Sequence, residues 1–123
     1  SPIALLWPDA ENWPYGGEIN FLEVKYDSTR QLNTAALHYG IFNTTLTKTQ
    51  PVDATEWHNY AVSWTPTAIT FYIDAVPYWT LTDTSQFPPG AMHLALQLDI
   101  LTANLAGGAS MDVAWARQYA YKA

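Results

Sequence analysis

The sequence predicts an all-β fold, a curved antiparallel β-sandwich of the jelly-roll type, and three observations carry the prediction. Short apolar runs alternate with turn residues along the chain, and its eight prolines fall at or between those runs, where a sheet tolerates them. No window repeats its apolar residues at the helical period, and no internal repeat or linker is visible. Several runs alternate, with one apolar face and one face carrying isolated polar groups. That pattern suits a sheet with a core behind it and a polar, aromatic trough in front.

The first strand is expected at 17–26, where Glu18, Asn20 and Glu23 interrupt an apolar run. Residues two apart share a face, so Glu18 and Asn20 point together, opposite Gly17 and Ile19. Glu23 lies five residues beyond Glu18, and a regular strand turns it to the other face. One extra residue around Phe21 or Leu22, a β-bulge, brings it back and leaves Ile19, Leu22 and Val24 facing the core. In the second strand, 34–42, Leu37, Tyr39 and Ile41 face one way and His38 the other. A third, 57–64, carries Trp57 and His58 on opposite faces, so at most one of them reaches the trough. Strands 68–74 and 77–81 form a hairpin with Asp74-Ala75 at the turn, where Asp-Gly is the stronger signal. In 91–98, Met92, Leu94, Leu96 and Leu98 share one face, while His93, Ala95 and Gln97 share the other. The last strand is expected at 110–120, with Met111, Val113, Trp115 and Arg117 on one face.

Composition bounds the function classes. A chain of 123 residues is one domain's worth, here read as a single partial domain over 1–123, and it is long enough for a core. Apolar residues at 49% and charged residues at 13% exclude disorder. Six Trp and eight Tyr exceed what such a core uses, so some line a groove where flat rings stack on flat ligands. Trp7, Trp64, Trp79 and Trp115 are assigned to packing. A net charge of −6 with five scattered basic residues excludes nucleic acid as a partner. No run approaches membrane-spanning length, and no signal peptide is present at Ser1, so no membrane partner is expected. Without cysteine there is no disulfide framework and no thiolate metal site, and no cofactor is called for.

Two carboxylates on one face of one strand can hydrolyse a glycosidic bond with retention when they lie about 5–5.5 Å apart. One attacks the anomeric carbon, and the other protonates the leaving oxygen and later activates water. Asn20, between them, is placed to hydrogen-bond the attacking carboxylate and hold its rotamer. The stretch "WPDAENWPYGGEINFLE" resembles the signature of glycoside hydrolase family 16, the laminarinase- and lichenase-like β-jelly rolls, whose bulged motif reads Glu-x-Asp-x-x-Glu. The likeness continues in family order through "HYG", "TEWHNYAVSWTPTAITFYIDAVPYW", "PPGAMHLALQLDI" and "GGASMDVAWARQYA".

What the resemblance implies can be stated residue by residue. Glu18 corresponds to the nucleophile, Glu23 to the general acid/base, and Asn20 to the position of the assisting Asp. Trp13 matches a Trp that stacks on a sugar, while His38, His93 and Gln97 fall on the trough face as substrate-binding residues. The implied partner is a β-linked polysaccharide, either a β-1,3- or β-1,3/1,4-glucan or a galactan, met outside the cell.

Three departures follow from the same comparison. Asn20 cannot share a proton or add charge beside the nucleophile, so turnover is expected to be weakened. Ala114 stands where the family often places an Asp that helps hold a structural calcium, and no metal is expected there. The N-terminal strands of the family are not in the chain, which leaves three alternatives: a fragment, a partner copy supplying the strands, or a minimal variant that self-assembles. The rival to an enzyme is therefore a catalytically degenerate protein that binds carbohydrate or builds an oligomer or filament on the same fold.

Overall fold

Eight strands and a short 3₁₀ turn make up the structure, a computed structural model in which residues 1–25, 27–100 and 106–123 are described. The strands are β1 (Pro2–Pro8), β2 (Glu18–Glu23), β3 (Leu32–Tyr39), β4 (Thr44–Pro51), β5 (Tyr60–Trp64), β6 (Ile69–Ile73), β7 (Val76–Leu81) and β8 (Met92–Leu98). They form two antiparallel sheets, a five-stranded one in the order β4-β3-β2-β1-β8 and a three-stranded one in the order β5-β6-β7. The 3₁₀ turn, Thr84–Gln86, leads into β8, and the Asp83 side chain caps it by accepting from the Ser85 amide.

The core lies where the sheets face each other. Ile19, Ala35 and Leu37 from the larger sheet meet Ile69 and Phe71 from the smaller one, all completely buried. Each large apolar side chain so placed is worth about 1.5–3 kcal/mol, so β2, β3 and β6 anchor the sandwich. Phe71 also stacks on Trp79, with ring centroids 4.8 Å apart. Trp64 and Trp79 pack against this cluster. A second cluster gathers Ala4, Leu22 and Val24, with Met111 laid against it.

The all-β sandwich is present, and the differences from expectation lie in its strands. β1 is an additional strand, in the middle of its sheet between β2 and β8. Ala4 and Leu6 turn to the core side, while Ile3 and Leu5 are buried on the opposite face. A strand covered on both faces reads as a continuous apolar run and loses the alternation that betrays an outer strand. β4 was likewise not expected. It is an edge strand of threonines with Lys48 and Pro51, polar except for Leu46 and the proline, as edges often are.

The segment 110–120, expected as the final strand, is irregular. Its alternation is real, but a strand also needs a neighbour to pair with, and no ladder involves this segment among the described residues. Trp115, expected in the packing, is instead 56% exposed, with the Arg117 guanidinium over its ring at 5.1 Å. The first expected strand, 17–26, ends at Glu23, and its Tyr26 lies outside the described residues. No helix among the described residues is long and apolar enough to cross a membrane.

Candidate functional site

The site begins with a register shift. β1 pairs Leu5 with Asn20 but Ala4 with Leu22, so Phe21 is the extra residue of a β-bulge. The bulge changes the parity of the strand. Glu23 returns to the face of Asn20, and the Asn20 Nδ2 donates to Glu23 Oε2 at 3.4 Å, so the amide expected on the attacking carboxylate, Glu18, meets the other one instead. Across the other ladder Glu18 sits opposite His38, and Asn20 opposite Ala36. Glu18, Asn20 and Glu23 therefore line one face of β2, away from Ile19 and Leu22 in the core.

The ladders extend that face into rows across the sheet. One row runs His93–Trp7 over β8 and β1, and another runs Glu18–His38–Thr45 over β2, β3 and β4. A third joins Gln97, Ile3 and Glu23. His38, His93 and Gln97 thus share the face of the two carboxylates. His58 and Trp57 do not reach it: His58 sits at the far end of the β6–β7 hairpin on Asp74, and Trp57 is 69% exposed.

Several contacts fix these groups. His38 Nδ1 lies 2.9 Å from Asn43 Oδ1 and 3.1 Å from Thr45 Oγ1, while the Thr45 hydroxyl donates to the Asn43 carbonyl. With both neighbours acting as acceptors, the ring hydrogen belongs on Nδ1, and Nε2 is the acceptor of the neutral ring. His93 Nδ1 meets Asp9 Oδ1 at 2.7 Å. Glu23 Oε2 also pairs with Lys25 Nζ at 3.3 Å. Among the described residues Asn20 Oδ1 is buried with no hydrogen-bond partner.

An aromatic shelf stands at one end of the trough. Trp13 stacks on Trp7 with centroids 6.2 Å apart and planes 9° apart, and Trp7 Nε1 donates to Glu11 Oε2 at 3.0 Å. Trp7 was assigned to packing, but its position opposite His93 puts it on the trough face instead. A Trp between two prolines in a central strand carries no sequence mark of which face it takes. The loop beneath the shelf tolerates little change. A Cβ on Gly16 would lie 2.6 Å from Pro8 Cβ, and Gly17 has φ +81°, a conformation open to glycine.

Sequence reasoning also missed Lys25 and Asn33. Lys25 was legible as the residue two beyond Glu23 on the same strand direction. Asn33 is completely buried, an amide in line with Ala35 and Leu37 on the core face of β3, and that misfit in an apolar row was the available signal. Among the described residues no group of three or more His, Cys, Asp or Glu is gathered to hold a metal ion. What the trough can do chemically is accept and donate protons at Glu18 and Glu23, offer hydrogen bonds from histidine and amide groups, and stack a flat ring.

Comparison with known proteins bears on the family and the fold. The family model described as "Glycosyl hydrolases family 16" matches residues 4–117. A solved mixed-linkage glucan family 16 protein of Bacteroides ovatus, in complex with a G4G4G3G product, superposes with TM-score 0.63 at 22% identity, over 77% of this chain and 46% of its own. The laminarinase from Rhodothermus marinus gives TM-score 0.63 at 21% identity, with the same coverage of 77% and 46%. LamA from Zobellia galactanivorans, in complex with laminaritriose and laminaritetraose, gives 0.59 at 24%, again over 77% and 46%. At such identities the likeness is one of fold, and the chain spans about half the length of these structures. No curated protein matches the chain.

Proposed function

The chain belongs to glycosyl hydrolase family 16, and from that premise we propose that it is a retaining endo-glycosidase-like protein acting on a β-linked polysaccharide, weakened by Asn20. The substrate class is a β-1,3- or β-1,3/1,4-glucan, or a galactan. The observation that carries the reading is the bulge at Phe21, which aligns Glu18, Asn20 and Glu23 on one face beside His38. In this reading Glu18 attacks the anomeric carbon, and Glu23 protonates the leaving oxygen and then activates water. Trp13 stacks on a sugar ring at the end of the trough, while His38, His93 and Gln97 bond its hydroxyls. The bound oligosaccharides of the structural neighbours, a mixed-linkage glucan product and laminari-oligosaccharides, support the glucans. A polymer substrate of this kind is met outside the cell.

The environment of Glu23 limits the rate. Asn20 Nδ2 and Lys25 Nζ both donate to Oε2, so a proton for the leaving group has to travel on Oε1. An Asp at position 20 can share a proton with a neighbouring carboxyl, which an amide cannot. Asn20 therefore also favours a second reading, a degenerate relative that keeps the trough for binding carbohydrate or the fold for assembly.

The experiment is product release from laminarin, lichenan and agarose by the sized wild-type chain, by Asn20→Asp and by Glu18→Gln. Slow release by wild type, a gain of roughly 10- to 100-fold with Asn20→Asp on one polymer, and loss with Glu18→Gln are expected. Hydrolysis untouched by Glu18→Gln rejects the assignment of the nucleophile. Absence of cleavage by wild type and Asn20→Asp alike, with retention on an insoluble glucan or elution as a large assembly, selects the second reading.

A further inference from the structure

We propose that Asn33 is the positioning residue of this site: its side-chain amide replaces the missing ladder partner at the β2 bulge and so keeps Glu23 on the face of Glu18. The inference rests on the functional reading above for its consequence, though not for its geometry. β2 and β3 pair regularly from Glu18↔His38 to Asn20↔Ala36, and the paired register stops there. Past that point the backbone of β2 needs other partners, because an unpaired buried peptide group is costly. Asn33 supplies them. Its Oδ1 accepts from the Glu23 amide at 2.8 Å, and its Nδ2 donates to the Phe21 carbonyl at 3.3 Å. One planar amide thus bridges the two residues that flank Leu22, as a neighbouring peptide group would in an unbroken ladder.

The remaining amide hydrogen fixes its orientation. Nδ2 also donates to the Tyr78 hydroxyl at 3.2 Å, a contact that reaches into the opposite sheet. Both donors and one acceptor of Asn33 are therefore used, and the reversed amide would set an N–H against the Glu23 N–H. Asn33 is 0% exposed, so no solvent can substitute for it. Tyr78 ties the arrangement to the core, where its ring leans on Phe71 at 6.4 Å. The bulge is thereby held from both sheets, and Glu23 inherits its direction from an amide ten residues away that never touches the trough.

The test uses Asn33→Leu, which keeps the branched outline and the number of side-chain heavy atoms but not the hydrogen bonds, and Tyr78→Phe, which removes only the acceptor that orients the amide. Amide hydrogen exchange is read at Glu23 and, as a folding control, at Phe71. The expected result is protection at Glu23 that falls at least tenfold in Asn33→Leu, and measurably in Tyr78→Phe, while Phe71 keeps its own. Unchanged protection of Glu23 in a folded variant overturns the proposal. Should Asn33→Leu fail to fold, Tyr78→Phe decides in the same way.

The second readout separates positioning from general damage. Release from polysaccharide needs an acid at the leaving oxygen, whereas an aryl glycoside with a very acidic phenol leaves without one. Asn33→Leu is expected to lose on the order of 100-fold in kcat on the polymer and only a few-fold in glycosylation by the aryl substrate. Equal losses on both substrates overturn a role through Glu23. A wild type inactive on every glycan overturns the functional reading instead, and the exchange experiment then still decides what holds Glu23 in place.

Discussion

Asp74 shows how much one side chain at a turn can organise. Its Oδ1 accepts from the Asn59 amide at 2.9 Å, its Oδ2 meets His58 Nδ1 at 2.7 Å, and His58 Nε2 reaches the Asp53 carbonyl at 3.0 Å. The Asn59 amide and then His58 hold the Asp74 carboxyl below its usual 3.8, and the hydrogen bond to Asp74 raises His58 above its usual 6.5. A histidine raised on folding adds stability that is complete below its unfolded value and is lost as pH climbs through the folded one. An aspartate lowered on folding adds stability present above its unfolded value and lost as pH falls through the folded one. The pair therefore supports the hairpin best between about pH 4 and about pH 6.5. The thermal midpoint is expected to drop between about pH 5.5 and about pH 9, and His58→Gln to shrink that drop. A variant that loses as much as wild type over this range would remove His58 from the account. From sequence, His58 was a candidate for the trough. Its partner lies sixteen residues away across a hairpin end, and no local pattern reports such a contact.

At the scale of elements, the β6–β7 hairpin was legible, and its turn has a cost that can be measured. Asp74 and Ala75 have φ of 52° and 65°, the left-handed pair that a two-residue hairpin of this twist requires. A non-glycine residue there costs about 1–2 kcal/mol, while a glycine gives back part of that through its freer unfolded chain. Ala75→Gly is therefore expected to stabilise the protein by about 0.5–1 kcal/mol, read from the denaturant midpoint at unchanged slope. A destabilised Ala75→Gly would mean that the alanine methyl packs usefully. The same scale explains what else could be read. The bulge followed from the odd spacing of Glu18 and Glu23, since parity is a local property of a strand. Its anchor, Asn33, did not, because which β3 residue faces β2 depends on where their ladder ends. β4 escaped because its four threonines, with Leu46 alone among polar neighbours, carry no apolar period, although threonine suits a strand well.

For the molecule as a whole, the two sheets differ in width, and the wider one is uncovered at one side. The core faces of β1 and β8, strand β5 and the 110–121 segment enclose an open cleft of about 1410 Å³. Leu94 and Leu96 line the β8 side at 40% and 46% exposure, and Val113 and Trp115 are exposed opposite. An apolar face of that extent drives association in water. Sedimentation of this chain is expected to show concentration-dependent association that Leu96→Lys diminishes; a strictly monomeric chain at high concentration would rule this out. The sandwich class was readable from alternation alone. The openness of one flank came from a different signal, the family strands that the chain does not contain, since alternation tells which side of a strand is greasy and says nothing of what lies against it.

The stacked pair at the end of the trough has an optical consequence. Two indoles 6.2 Å apart with nearly parallel planes share their excited states, so Trp7 and Trp13 absorb as a coupled pair rather than as separate rings. Coupled chromophores of this kind write a signed pair of bands into the far-ultraviolet circular dichroism spectrum. A sugar ring that settles on Trp13 or shifts it against Trp7 alters the dipole geometry and with it those bands. The protein therefore carries an unlabelled gauge of trough occupancy, one that responds to a seated ligand whether or not any bond is broken.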